Sequence, residues 1–575
     1  MNKTGAEILI DALAQEGVDV LFAYPGGQVI PIFDALYDAK GLKVVLVRHE
    51  QAAAHAAEGY ARATGKVGCC LATSGPGATN LITGIADAYM DSIPIVAITG
   101  QVPTSYIGTD AFQEADLVGI SRPVTKHNYL VKDIRDLPRI FKEAFYIAGS
   151  GRPGPVLIDL PKDVSVATFE NYEYPKSVSI RSYSPTIIGH PKQIEKAAEM
   201  IKAAKKPLIF AGGGVISSSA SEQLFELAEK INAPVTLTLM GLGAFPGEHG
   251  LFIGMPGMHG SRAANNALQE TDCIVSVGVR FDDRVTGHVG SFAPKAKIIH
   301  LDIDPATISK IVKVDVPVVG DAKNILVALN KLLTPRGVSE WNDQINAWKG
   351  EKIFSYKHSE KSIKPQFVIE QAYEMTKDKD AIICTEVGQH QMWTAQYYKF
   401  ARPRTFISSG GLGTMGFGLP ASMGAALGQP GKLVLNIAGD GSIQMNIQEL
   451  ATISINKIPV KVLILNNEYL GMVRQWQDLF WKKRYSSTCL RGGTLCEECA
   501  PGHCKKHYVP DFVKLAESYA IPGFRALKHA DVIPVLRQGL EIDGPAIMEF
   551  SVTPEENVYP MVPAGKSLDE AMEEL

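Results

Sequence analysis

At 575 residues, with 46% hydrophobic and 21% charged side chains, the chain has the make-up of a globular protein of about three or four domains. A formal charge of -4 argues against nucleic-acid binding, and no apolar run reaches the ~18 residues of a membrane span. Met1 to Gly5 carries neither a signal-peptide nor a transit-peptide pattern, so a bacterial or archaeal cytoplasm is expected.

Short β-branched runs alternate with helical patterns along the chain, which predicts α/β architecture with parallel sheets covered by helices on both faces. Runs at 67–72, 95–98, 207–210, 273–277 and 297–301 are the clearest strands. Two aperiodic stretches, 172–191 and 335–365, divide the chain into domains at 1–175, 190–340 and 365–560; the second stretch leaves room for a helix within 341–354.

In the first domain Glu50 follows the strand-like run 43–48 and opens an Ala-rich helix. An acid is favoured there by the helix dipole alone, so position by itself does not make it catalytic. Ser74-Gly-Pro-Gly77-Ala-Thr-Asn80 reads as a glycine-rich turn before a helix starting near Leu81. Such turns often hold phosphates, but a stronger diphosphate anchor lies further on. In the middle domain Gly212-Gly213-Gly214 follows a strand, Asp302 ends one, and Gly320-Asp321 follows another. Together they suit the phosphate and ribose of a nucleotide.

The third domain holds Gly411-Leu-Gly-Thr-Met-Gly416, a match to the G-x-G-x-x-G dinucleotide pattern. The acid expected to end a strand about 20 residues later is missing, so this is not a nicotinamide site. Next comes Gly439-Asp440-Gly441-Ser442, and then, beyond a predicted helix and strand, Asn466-Asn467. Apolar runs lead into both, which places Asp440 and Asn467 at the carboxyl ends of neighbouring parallel strands, where open α/β sheets bind ligands. A carboxylate and an amide oxygen suit Mg²⁺, which takes its other ligands from water and phosphate. The glycines let the backbone approach the phosphates.

This segment resembles the thiamine diphosphate motif of enzymes that decarboxylate and ligate 2-keto acids. Tyr24-Pro-Gly-Gly27, Phe112-Gln113-Glu-Ala-Asp116, Gly151-Arg152-Pro-Gly-Pro155, Asp159-Leu-Pro-Lys162-Asp163, Arg280-Phe-Asp-Asp-Arg284-Val-Thr-Gly287 and Gly471-Met-Val-Arg-Gln-Trp-Gln477 narrow the resemblance. From about residue 3 to 565, with one interruption, the chain is similar to the acetohydroxyacid (acetolactate) synthase family, catalytic subunit. The resemblance implies three doubly wound parallel-sheet domains of the thiamine diphosphate-dependent decarboxylase/carboligase type. They would bind the pyrimidine end, FAD, and the diphosphate with Mg²⁺, in that order. It implies decarboxylation of pyruvate and ligation of the two-carbon unit to pyruvate or 2-ketobutyrate, in branched-chain amino-acid synthesis.

The resemblance also assigns roles. Glu50 would be the acid beside the aminopyrimidine, and Gly27, Gln113 and Lys162 would belong to the catalytic set, Gln113 and Lys162 reaching over from a partner subunit. Gly388, Gln389, His390, Gly413, Met415, Gly439, Gly441 and Ser442 would hold thiamine diphosphate. Asp440, Asn467 and the backbone carbonyl of Tyr469 would hold Mg²⁺. Arg152, Gly212, Gly213, Gly214, Arg280, Asp302, Gly320 and Asp321 would contact FAD, which performs no net redox chemistry in the ligation. Arg284 would meet the acceptor carboxylate, with Trp476, Met472 and Val473 shaping its pocket; the alternative for the last three is core packing of an amphipathic helix. A homodimer or dimer of dimers and a small regulatory subunit are expected. The rival readings are a flavin-dependent pyruvate oxidase, a flavin-free catabolic acetolactate synthase and a non-catalytic thiamine-binding regulator.

The interruption falls at about 489–507, where Cys489, Cys496, Cys499 and Cys504 accompany His503 and His507. The spacing suits a tetrahedral Zn²⁺ site, with an iron–sulfur cluster, a disulfide or free thiols as alternatives. Cys69, Cys70, Cys273 and Cys384 lie in apolar runs and are expected as buried free thiols.

Overall fold

The computed structural model describes residues 2–350, 352–491 and 510–573. Three parallel sheets follow one another along the chain. Across the first, the strands are Lys43–Leu46, Val20–Ala23, Gly68–Ala72, Ile95–Gln101, Val156–Pro161 and His127–Leu130. Across the second they are Val235–Leu237, Pro207–Ala211, Cys273–Val277, Lys297–Asp302 and Val316–Val319. Across the third they are Phe406–Ile407, Ile382–Thr385, Val434–Gly439, Val460–Asn466, Ala546–Ser551 and Gly523–Ala526. Lys3–Thr4 and Thr168–Phe169 form a small antiparallel pair beside the first sheet.

Each large sheet starts from its second position and winds both ways, so strand order reverses between its first and third strands in sequence. Ligands of doubly wound sheets bind at that switch point, outside the carboxyl ends. The central strands are buried throughout, as sheets covered on both faces require. The covering helices bury one stripe each. Leu137–Gly149 buries Leu137, Ile140, Phe141, Ala144, Phe145 and Ala148. The four cysteines expected in apolar runs are buried and unpaired.

Helix Glu50–Thr64 of the first domain lies against helix Gly418–Gly428 of the third. Glycines set their distance. A Cβ at Gly59 would lie 1.9 Å from the Ala421 carbonyl oxygen, and one at Gly424 would lie 1.8 Å from that of Ala56. No helix among the described residues is long and apolar enough to cross a membrane.

One local expectation needs correction, and one alternative falls away. Pro76–Asn80 is a short helix rather than a turn, with Pro76 in its first turn, where a missing N–H costs nothing. Helix Gly471–Phe480 is not an apolar core helix, because its buried side chains are Arg474 and Gln475. Arg474 lies over the rings of Tyr469 and Tyr485, and Gln475 bonds to the backbone of Val558.

Candidate functional site

Asp440 and Asn467 stand where the third sheet's switch-point strand and its neighbour end. Val434–Gly439 and Val460–Asn466 are paired in parallel, Gly439 opposite Leu465. Backbone N–H groups of Asn467 and Gly441 reach the Asp440 carboxylate, while its Oδ2 is buried with no partner. Burial pushes this carboxyl up to about 7. Nearby, the Asn467 amide oxygen accepts the Tyr469 N–H at 3.1 Å, and its Nδ2 donates to Gln389 Oε1 at 3.3 Å. An orphaned, desolvated carboxylate oxygen among oxygen donors suits a hard divalent cation, so these residues fit Mg²⁺.

The opposite wall is glycine and imidazole. Gly388 caps helix Gln389–Tyr397, and His390 follows in its first turn. Burial lowers His390 to about 3, and its Nε2 has no partner. A neutral imidazole donates to a phosphate oxygen from Nε2 in the tautomer that carries its proton there. A Cβ at Gly439 would come 2.8 Å from His390 Nδ1, so only glycine keeps the strand end open. Ser442 Oγ bonds back to the Gly439 carbonyl, and the Met415 side chain approaches Gly441.

Glu50 lies at the edge of the first sheet, after strand Lys43–Leu46. His49 caps its helix by accepting the Gln51 N–H at 3.1 Å. The backbone N–H groups of Arg48 and His49 both donate to Glu449 Oε1 of the third domain, at 2.8 and 3.0 Å. Asn80 Nδ2 donates to Glu50 Oε2 at 2.9 Å, and a Cβ at Gly77 would sit 3.2 Å from Glu50 Oε1. The segment 74–80 therefore packs on the acid.

A cleft of about 1030 Å³ opens among all three domains. From the middle domain and its borders, Arg152, Gly213, Gly214, Arg280, Asp302 and Asp321 line it. Arg152 is held by Ser92 Oγ at 2.8 Å and by Asp304 at 3.2 Å. Asp321 also caps helix Ala322–Leu332. Gly212 and Gly320 do not line the cleft; Gly212 packs on the Gly278 carbonyl and Gly320 on Gly189. From the third domain, Gly388, Gly413, Met472 and Trp476 reach the same cleft. Arg284 lines it too, its side chain 57% exposed and its guanidinium 5.9 Å from the Trp476 ring centre. Val473, 51% exposed, is absent from the lining.

Glu50, Gly27, Gln113 and Lys162 do not line this cleft either. Gly27 faces open space, Gln113 takes a left-handed φ of 61° against Gly75, and Lys162 opens helix Lys162–Val166. Cys489 is half-buried and pairs by backbone with Tyr469, beside the Asp440–Asn467 strand ends. Cys496, Cys499, Cys504, His503 and His507 lie outside the described residues.

Several groups escaped the sequence reading. Glu386 follows Ile382–Thr385, the other strand at the third sheet's switch point, accepts the Gly416 and Leu419 N–H groups at 2.7 and 2.9 Å, and is pushed by burial up to about 7. An acid directly after an apolar strand was its signal, the same one that exposed Asp440. Asn80 is a second such group. The third is a buried set formed by His55, Glu58, Arg62, Asp87 and Asp91. Arg62 contacts Glu58, Asp87 and Asp91 at 3.2, 3.8 and 2.8 Å. Nothing in its local spacing announced it.

Comparison with known proteins bears on all of this. The family described as "Thiamine pyrophosphate enzyme, N-terminal TPP binding domain" matches residues 3–120. The corresponding central domain matches 194–329, and the C-terminal TPP binding domain matches 386–550. An acetolactate synthase large subunit of Haemophilus influenzae is 48% identical, over 99% of this chain and 97% of its own length. An acetolactate synthase of Mycobacterium bovis is 50% identical, over 99% and 91%. The isozyme 3 large subunit of Escherichia coli is 48% identical, over 99% and 98%.

Proposed function

Because the chain belongs to the acetolactate synthase family of thiamine pyrophosphate enzymes, we propose a division of labour between the strand ends described above. The chain is a thiamine pyrophosphate-dependent acetolactate synthase, and its products feed branched-chain amino-acid synthesis. When bound, thiamine diphosphate supplies the nucleophilic carbon and the electron sink for loss of CO₂. Asp440, Asn467 and the Tyr469 carbonyl hold Mg²⁺, and His390, Gly439, Gly441 and Ser442 meet the diphosphate. Glu50 serves the aminopyrimidine, its carboxyl positioned by Asn80. The single observation that carries this reading is the buried, unpartnered Asp440 oxygen at the ends of two paired parallel strands.

Pyruvate is the donor, and pyruvate or 2-ketobutyrate the acceptor. Arg284 presents a guanidinium to the acceptor carboxylate, and Met472 and Trp476 bound the space for its alkyl group. The glycine backbone, two arginines and two acids of the large cleft suit FAD, whose phosphates and ribose need those groups. Residues on separate walls, with Glu50 and Lys162 off the cleft, support an active unit of at least two chains. The large-subunit names of the relatives support a small regulatory partner, and a cytoplasmic setting belongs to the same proposal. A soft metal held by Cys489, Cys496, Cys499 and Cys504 rests on their spacing alone.

The deciding experiment supplies pyruvate, thiamine diphosphate, Mg²⁺ and FAD and identifies the product. CO₂ with 2-acetolactate is expected. Acetate or acetyl phosphate with reduction of an electron acceptor would overturn it.

A further inference from the structure

Helix Ile82–Asp91 ends against the rules of its own class. Asp87 and Asp91 are like charges at i and i+4, and both lie toward the end of the helix where the dipole repels an anion. Both side chains are fully shielded from solvent. Such a conflict persists only where something outside the helix makes use of it.

What they serve is a loop more than 300 residues away in sequence. Asp91 Oδ1 accepts the Gly411 N–H at 2.7 Å, and its Oδ2 accepts the Gly410 N–H at 2.9 Å. Asp87 Oδ1 accepts the Ser409 hydroxyl at 2.5 Å, and Ser409 Oγ in turn accepts the Thr414 N–H at 2.8 Å. Arg62 supplies the countercharge to Asp91 at 2.8 Å. A Cβ at Gly411 would lie 2.8 Å from Asp91 Oδ1, so the approach depends on glycine. The next residue, Ser92, takes a left-handed φ of 61° and holds Arg152 on the cleft wall.

We propose that Asp91, backed by Arg62 and Asp87, is a positioning residue that holds the 409–414 loop in its cofactor-binding shape, so that the first domain of a chain sets the thiamine affinity of the third. This rests on the reading that Gly413 and Met415 meet the cofactor. The Gly410 and Gly411 N–H groups are held by this anion from another domain, while Gln391 of their own domain holds the Ser409 carbonyl at 2.9 Å. Asp91→Asn replaces one acceptor oxygen with an N–H donor facing another donor and removes the acid nearest to Arg62.

The test measures thiamine diphosphate binding directly by calorimetry on the full-length protein with Mg²⁺, alongside kcat and the activation constant. Asp91→Asn should raise the dissociation constant about tenfold or more, the equivalent of one lost charge-assisted hydrogen bond. At saturating cofactor, kcat should fall far less. Gly411→Ala, which presses the same contact from the loop side, should do likewise, and the double variant should be little worse than the poorer single one. Should Asp91→Asn not fold, Gly411→Ala and Ser409→Ala carry the prediction alone. Unchanged affinity in these variants, or single effects that multiply fully in the double, would overturn the proposal. Met415→Ala is the control for the underlying reading. If it also leaves affinity unchanged, the loop assignment fails; if it alone weakens binding, only the role of Asp91 fails.

Discussion

The first and third sheets have the same strand order, counted within each domain, yet their strand ends carry different chemistry. After the third strand, one domain has Thr73-Ser74-Gly75 and the other has Asp440-Gly441-Ser442. After the second strand, one has Glu50 opening a helix, and the other has the glycine loop 410–416. The fold fixes the address, and the residues at that address decide which end of a ligand it serves. The first domain offers a single acid supported by an amide. The third offers a desolvated carboxylate, glycine backbone and a neutral imidazole. Two copies of one topology can therefore receive a cofactor's two unlike ends.

The sharpest way to break this comparison is to disable each acid separately. Glu50→Gln should retain the fold and cofactor affinity while losing turnover by about 10²–10⁴-fold, the range for a lost proton-handling group. Steady-state rates beside calorimetric binding check this; near-normal turnover removes Glu50 from its role. Asp440→Ala should act on affinity instead. Mg²⁺ and thiamine diphosphate binding should weaken by more than the roughly 10–100-fold typical of losing an outer partner of a metal ligand. Mixed after subunit exchange, the two inactive variants should recover part of the activity if one site draws Glu50 and Asp440 from different chains.

A smaller effect should separate chemistry from selectivity. Trp476→Leu should leave acetolactate formation largely intact and shift the 2-ketobutyrate to pyruvate product ratio, within the about 1–3 kcal/mol that a methylene commands. Competition between the two acceptors, read as product ratio, measures it. The smallest effect concerns stability. Burial pushes Glu58 up to about 8, so the folded protein keeps a proton that the unfolded chain, near 4.5, releases. Its contribution is complete below pH 4.5 and is lost as pH rises to about 8. Glu58→Gln should flatten that part of the melting-temperature profile, and an unchanged slope would exclude Glu58 as its source.

The parallel sheets were legible because their strands are short apolar runs with glycine or an acid at the end. The same pattern pointed to Asp440, Asn467 and Glu50, and the structure puts all three at or beside strand ends. Glu386 carried the same signal and was passed over, since no glycine follows it directly. The set around Arg62 could not be read at all. Asp91 meets Gly411 across 320 positions, and neither residue departs from ordinary local usage in a way that names its partner. Helix Gly471–Phe480 shows the converse: its spacing looks amphipathic, but Tyr469, Tyr485 and Val558 draw its polar side chains inward. Local pattern reveals what a strand end offers, while long-range pairing decides how it is held.

Backbones in contact cannot slide past each other. Where Gly59 meets Ala421 and Gly424 meets Ala56, one added methyl would need space already filled by a carbonyl oxygen. The two helices are locked in register by the absence of two carbon atoms, and substitution there has no graded outcome, because even alanine forces the domains apart. The separation between the strand-end loops of the outer domains is thus a dimension of the fold itself, like the gauge of a track, laid down before any ligand arrives.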